Sequence, residues 1–121
     1  DEAQFYTDSQ VEQLARVVDE MDVDVYAFGL LTDFRGKLFP GSARLLEIAD
    51  QRHELQVQAR CWCGEPATHN ARLHDGVQVY DGDVVLIDDG STAKVTYELR
   101  CRNHWISGQA GPMADRYKAA G

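Results

Sequence analysis

Residues 61–64 read CWCG and residues 100–105 read RCRNHW, so all three cysteines of the chain fall in two short clusters. A disulfide between Cys61 and Cys63 would close a loop too short for unstrained geometry. Two readings remain: three reduced thiols beside a surface histidine, or a metal site. Zinc takes four tetrahedral ligands of S and N type, and C-x-C-G followed by C-x-x-H offers Cys61, Cys63, Cys101 and His104 on two knuckles. Gly64 suits such a knuckle, where the turning backbone often needs a positive φ. His69 and His74 are rival fourth ligands, but neither stands beside a cysteine. C-x-C is less diagnostic than C-x-x-C, yet the pairing of the two clusters favours zinc over bare thiols. Four protein ligands would close the coordination sphere, so the expected metal is structural rather than catalytic.

A second chemical feature lies at the front, where Asp1 and Glu2 open the stretch DEAQF. Adjacent carboxylates suit phosphoryl transfer, one helping to hold Mg²⁺ and the other taking a proton from the attacking hydroxyl. They would sit where a strand ends before a helix, the edge at which α/β proteins bind ligands. On spacing alone a solvated acidic start explains them better, because DE is a common dipeptide. The loop TDFRGKLFPGS (32–42) is equally open. Phe34 and Phe39 fit a core or a ligand contact, and Arg35 and Lys37 fit solvent or an anion.

Positioning these groups requires ordered elements around them. Ser9 and Glu12 match a capping box, and Val11, Leu14, Ala15, Val18 and Met21 then recur at helical spacing. VDVYAFGLL (23–31) is apolar and β-branched between Asp22 and Asp33, which predicts a buried strand in a parallel sheet. Ser42 is placed to cap a second helix with Leu45, Leu46, Ile48 and Ala49 on its apolar side. After Asp50 the texture changes to short segments. ELQVQAR (54–60) alternates like a half-buried strand. PATHNARL (66–73), QVYDGDVVLID (78–88) and AKVTYELRC (93–101) follow, with DG turns at 75–76 and 81–82 and DDGS at 88–91. The expected organisation is a helix–strand–helix front over 1–55, a small β region over 56–105, and a weakly ordered tail from Ile106.

Composition narrows the class. The 121 residues are 44 % hydrophobic and 26 % charged, ordinary for one soluble domain with a core. The net charge of −8 argues against gripping a nucleic-acid backbone. No apolar run reaches the length of a membrane span and no signal segment opens the chain. An odd number of cysteines fits a reducing cytosol better than a secreted disulfide framework.

Taken in order, DEAQF, GLLTDFRGKLFPGS, CWCG and CRNHW resemble the thymidine kinases of the tetrameric, cellular type in their bacterial branch. The resemblance runs from Asp1 to about Trp105. It implies an α/β fold: the C-terminal part of a P-loop (RecA-like) kinase core, followed by a zinc-held β lasso that closes over the nucleoside. It implies transfer of the ATP γ-phosphate to the 5′-hydroxyl of thymidine or deoxyuridine in nucleotide salvage, with Mg²⁺, in a cytoplasmic homotetramer. The family's D-E-x-Q motif falls on Asp1, Glu2, Ala3 and Gln4, with Asp1 on the Mg²⁺ and phosphate side and Glu2 as general base. Phe34 matches the aromatic that contacts thymine. Val84, Val85, Leu86, Ile87 and Asp88 match the lasso segment that reads the base through its backbone, and Tyr97 matches a tyrosine contacting the nucleoside. The zinc ligands are again Cys61, Cys63, Cys101 and His104.

The chain also departs from the family pattern. It holds no G-x-x-x-x-G-K-S/T, the phosphate-cradling loop that lies upstream of DEAQF in the family, so it is expected to be a C-terminal fragment, inactive on its own. Residues 88–96 are longer than in compact family members, with DDGSTAK in place of an asparagine- or glycine-rich lasso turn. A rival reading from another class is a non-enzymatic zinc-ribbon binding module, whose nucleic-acid version the −8 charge disfavours.

Overall fold

The computed structural model describes residues 1–55, 59–84 and 94–109. The chain divides into two compact units, one of Asp1–Asp33 with Lys37–Gln56 and one of Phe34–Gly36 with Val57–Gly121. Helix and strand are both present, and no helix among the described residues is long and apolar enough to cross a membrane.

The first unit opens with a 3₁₀ turn over Ala3–Phe5, closed by the Tyr6 N–H donating to the Ala3 carbonyl at 3.1 Å. Helix α1 spans Asp8–Met21. Its capping box is Thr7 with Gln10, not Ser9 with Glu12: Thr7 Oγ1 accepts from Gln10 N at 3.2 Å and Gln10 Oε1 from Thr7 N at 3.0 Å. The same T/S-x-x-Q/E pattern occurs two residues earlier, and Ser9 already lies in the first turn. The apolar side is as expected for Val11, which is buried, and for Leu14, Ala15 and Val18, which are half-buried; Met21 is exposed.

The expected parallel strand over 23–31 does not form: the segment is not a strand, and Tyr26, Phe28 and Leu30 are exposed. A strand needs a ladder of main-chain partners. Here Phe28 O accepts from Ala3 N at 2.9 Å, while Leu30 is held by side chains, its N–H by Gln4 Oε1 and its carbonyl by the Ser42 hydroxyl. Helix α2 covers Pro40–Ile48, with Phe39 at the N-cap and Pro40 in the first turn. Proline's fixed φ starts the helix there, so Ser42 is inside it rather than capping it. Leu45, Ile48 and Ala49 are half-buried and Leu46 is exposed. An ion pair of Arg44 with Glu12 at 2.9 Å ties α2 to α1.

Gly41 is needed for space. A Cβ there would lie 2.5 Å from the Ala3 carbonyl, 2.7 Å from that of Tyr6 and 2.8 Å from that of Gln4. The 3₁₀ turn therefore rests directly on the backbone of α2.

The second unit is built on a three-stranded antiparallel sheet in the order β2-β1-β3, with β1 at His69–His74, β2 at Val77–Val79 and β3 at Val95–Arg100. Asp75 (φ 51) and Gly76 (φ 83) make the two-residue turn from β1 to β2 that the DG pair predicts. Ala71, Arg72 and Leu73 of the central strand are all buried. Over 54–60 the expected strand is absent from the described residues, and 56–58 lie outside them. Leu55 is exposed, and pairing is limited to an Arg60–Pro66 bridge and Ala67 N donating to Ala59 O, because the chain turns back at once through Cys61–Gly64. Of 78–84, Gln78 and Val79 are strand, and Val85, Leu86, Ile87 and Asp88 lie outside the described residues. Helix α3 covers Arg102–Ser107, with Cys101 at its N-cap and Gly108 (φ 68) at its C-cap. Residues 110–121 lie outside the described set.

Candidate functional site

Three groupings carry the chemistry. In the second unit the ligand atoms of Cys61, Cys63, Cys101 and His104 all lie within 4.8 Å of one another. Cys61 Sγ and Cys101 Sγ each stand 3.4 Å from His104 Nδ1, and Cys63 Sγ stands 3.9 Å from Cys101 Sγ. A tetrahedron with Zn–S near ~2.3 Å and Zn–N near ~2.0 Å has S···S edges of about 3.8 Å and S···N edges of about 3.5 Å. The three distances above match such edges, and the S₃N donor set suits zinc. His69 and His74 are not in it; His69 leans on Trp105, with ring centroids 5.2 Å apart.

Local structure explains the convergence. The first knuckle is closed by Cys61 N donating to Glu65 O at 2.8 Å and Gly64 N to Cys61 O at 2.9 Å, with Gly64 at φ 89. The second is the N-terminus of α3, where His104 N points at Cys101 Sγ at 3.5 Å. Trp62, between the two front cysteines, stacks on the His104 ring at 4.2 Å and donates its indole N–H to Gln109 O. That contact orients a ligand, and the sequence reading did not foresee it. Burial opposes ionisation of Cys61, but hydrogen bonds from the Cys63 and Cys101 amides and from His104 outweigh it and pull the thiol down to about 6. Cys63 moves the other way. The Glu65 amide favours its thiolate, while desolvation and the Cys61 and Cys101 sulfurs together raise it.

The second grouping is in the same unit. Arg72, 3 % exposed, lies with its guanidinium 3.6 Å from the Phe34 ring centroid. Its Nε donates to Tyr97 Oη at 3.1 Å, Nη1 to Asp83 O at 2.6 Å and Nη2 to Val84 O at 2.9 Å. Arg72 and Tyr97 are register partners across β1 and β3, which puts their side chains on one face. So Phe34, Val84 and Tyr97, which the resemblance selects, gather around an arginine that it does not. An arginine between Ala71 and Leu73 reads as a solvated strand residue, and only the fold shows it buried.

The third grouping is in the first unit. Glu2 adopts a left-handed backbone conformation (φ 58, ψ 31), which non-glycine residues seldom take. Its carboxylate accepts from Gln4 Nε2 at 2.9 Å, and its own N–H donates to Asp1 Oδ1 at 2.9 Å. Gln4 is buried and anchored through its Oε1 to Leu30 N, while Ala3 is fully buried. Asp1 and Glu2 are exposed. A carboxylate held on a buried anchor and open to solvent can take up a proton, and the oxygens of Asp1 are the ligand type Mg²⁺ accepts.

The family model described as Thymidine kinase matches residues 1–105. Thymidine kinase from Cutibacterium acnes is 54 % identical over 115 residues, covering 94 % of this chain and 53 % of that protein. Thymidine kinase from Streptomyces coelicolor is 58 % identical over 106 residues, covering 86 % of the chain and 49 % of the relative. That of Enterobacteria phage T4 is 49 % identical over 106 residues, covering 87 % and 51 %. Fold and sites thus define a mixed helix–strand protein with a cysteine–histidine cluster able to hold a metal ion. The chain belongs to the thymidine kinase family. It spans about half the length of the curated relatives it matches.

Proposed function

We propose that the protein carrying this chain is a thymidine kinase, transferring the γ-phosphate of ATP to the 5′-hydroxyl of thymidine. The observation that carries this reading is the family match over residues 1–105, at 44–58 % identity to curated bacterial relatives. Residues 1–55 then form the C-terminal part of a P-loop kinase core, residues 56–105 a zinc-held lasso, and residues 106–121 a tail. The cell compartment is the cytoplasm and the assembly a homotetramer.

Glu2 takes the proton from the 5′-hydroxyl as that oxygen bonds to the γ-phosphorus and the bond to the β–γ bridging oxygen breaks, releasing ADP. Gln4 supports this role by fixing the Glu2 carboxylate from a buried anchor. Asp1 would help hold Mg²⁺ brought with ATP, and the ion would supply neutralisation of phosphate charge. Phe34, the 84–88 backbone and Tyr97 bind the nucleoside; of these, Val85–Asp88 lie outside the described residues. Zinc held by Cys61, Cys63, Cys101 and His104 would staple the two knuckles together and add stability to the small β region they flank.

The test uses the complete protein and labelled ATP. Label should appear in thymidine monophosphate, and Glu2→Gln should abolish most of the transfer while leaving thymidine binding intact. No transfer to thymidine by the complete wild-type protein would overturn the reading.

A further inference from the structure

Arg72 invites a role beyond packing. A guanidinium sheds water at a cost, and burying one on neutral acceptors is justified only where its geometry is needed. Here a single side chain reaches four targets: the Phe34 ring, the Tyr97 hydroxyl, and the carbonyls of Asp83 and Val84. The targets come from three separate stretches of chain, the 34–36 loop, strand β3 and the segment after β2, and Arg72 reaches them from a fourth, β1. Gly82 (φ +134) adds the fit, since a Cβ there would already touch Arg72 Nη1 at 3.5 Å and Phe34 Cζ at 3.8 Å.

We infer that Arg72 is the positioning residue of the nucleoside site, setting the ring of Phe34, the hydroxyl of Tyr97 and the entry to the lasso backbone in one rigid frame. The inference rests on the thymidine kinase reading above. It follows from the geometry of the fork. Three N–H groups pointing in fixed directions hold two successive carbonyls and a hydroxyl at once, while the flat face covers an aromatic ring. A lysine would keep the charge and lose this multiplicity. Base recognition by main-chain groups depends on where the backbone stands, so loosening its first two carbonyls should cost binding rather than chemistry. Asp1 and Glu2 belong to the other unit.

The experiment uses the complete kinase with Arg72→Lys, Tyr97→Phe and the double variant, measuring KM for thymidine, KM for ATP, kcat, zinc content and Tm. Arg72→Lys should raise the thymidine KM at least about tenfold, with kcat and the ATP KM within about threefold and zinc still near one per chain. The double variant should cost clearly less than the product of the two singles, because Tyr97 acts through the same fork. An unchanged thymidine KM in Arg72→Lys, or kcat and both KM values collapsing together with zinc retained, would overturn the inference. If Arg72→Lys does not fold, Tyr97→Phe decides, and an unchanged thymidine KM there counts against it. A wild-type protein inactive on thymidine sinks the parent reading instead, whatever the variants do.

Discussion

Gly41→Ala sets two effects of opposite sign against each other. Gly41 stands in the first turn of α2, where alanine has the higher helix propensity by about 1 kcal/mol. Propensity alone therefore predicts a more stable protein. The fold predicts the reverse. The added Cβ would stand 2.5, 2.7 and 2.8 Å from the carbonyls of Ala3, Tyr6 and Gln4, all backbone atoms of the 3₁₀ turn. Ordinary van der Waals contact would need the turn to retreat by roughly 0.5–1 Å, and forcing an extra methyl into packed surroundings costs about 1–3 kcal/mol. The net expectation is a loss of up to about 2 kcal/mol, read as a fall of up to several degrees in Tm. The same retreat moves Glu2, which precedes the turn and is held by Gln4 within it. Displacements of about 1 Å at a reacting group can lower rates about a hundredfold, so turnover should drop more than stability suggests. Thermal melts and thymidine-kinase assays on the complete protein check both. A Gly41→Ala variant with raised Tm and native turnover would refute the close-packing argument.

Zinc should be found at about one per chain by metal analysis; Cys101→Ser should lose it, because serine can still cap α3 but supplies no thiolate, and unchanged zinc would discard the ligand set. Glu2→Gln in the complete protein should cut kcat by about a hundred- to ten-thousandfold with little change in thymidine affinity, since only the proton acceptor is lost; near-native turnover would mean another group takes the proton. The 121-residue polypeptide tested alone should bind zinc yet show no ATP-dependent phosphorylation of thymidine, because its sequence encodes no G-x-x-x-x-G-K-S/T cradle for the triphosphate. Label transfer by that short polypeptide would contradict the last expectation.

What the sequence by itself determined is local. The spacing of Cys61, Cys63, Cys101 and His104 pointed to the group that the fold brings together and that could hold a metal ion, because each knuckle is built from neighbours in the chain. The periodicity of Val11, Leu14, Ala15 and Val18 named α1, and the Asp75-Gly76 pair named the hairpin turn, since both depend on backbone preferences of a few adjacent residues. Cap positions slipped, by two residues at α1 (Thr7 for Ser9) and by three at α2 (Phe39 for Ser42). The apolar run over 23–31 was read as a buried strand, yet a strand is a property of its partners, and among the described residues it has no ladder. Tertiary structure alone decided that Arg72 is buried beneath Phe34, that Trp62 braces His104, and that Gly41 leaves room for the turn behind Glu2. Each of these is a contact between stretches far apart in the chain. Residue type and near-neighbour spacing carry no record of such contacts, because the distance between two side chains is set by the whole path of backbone folded between them.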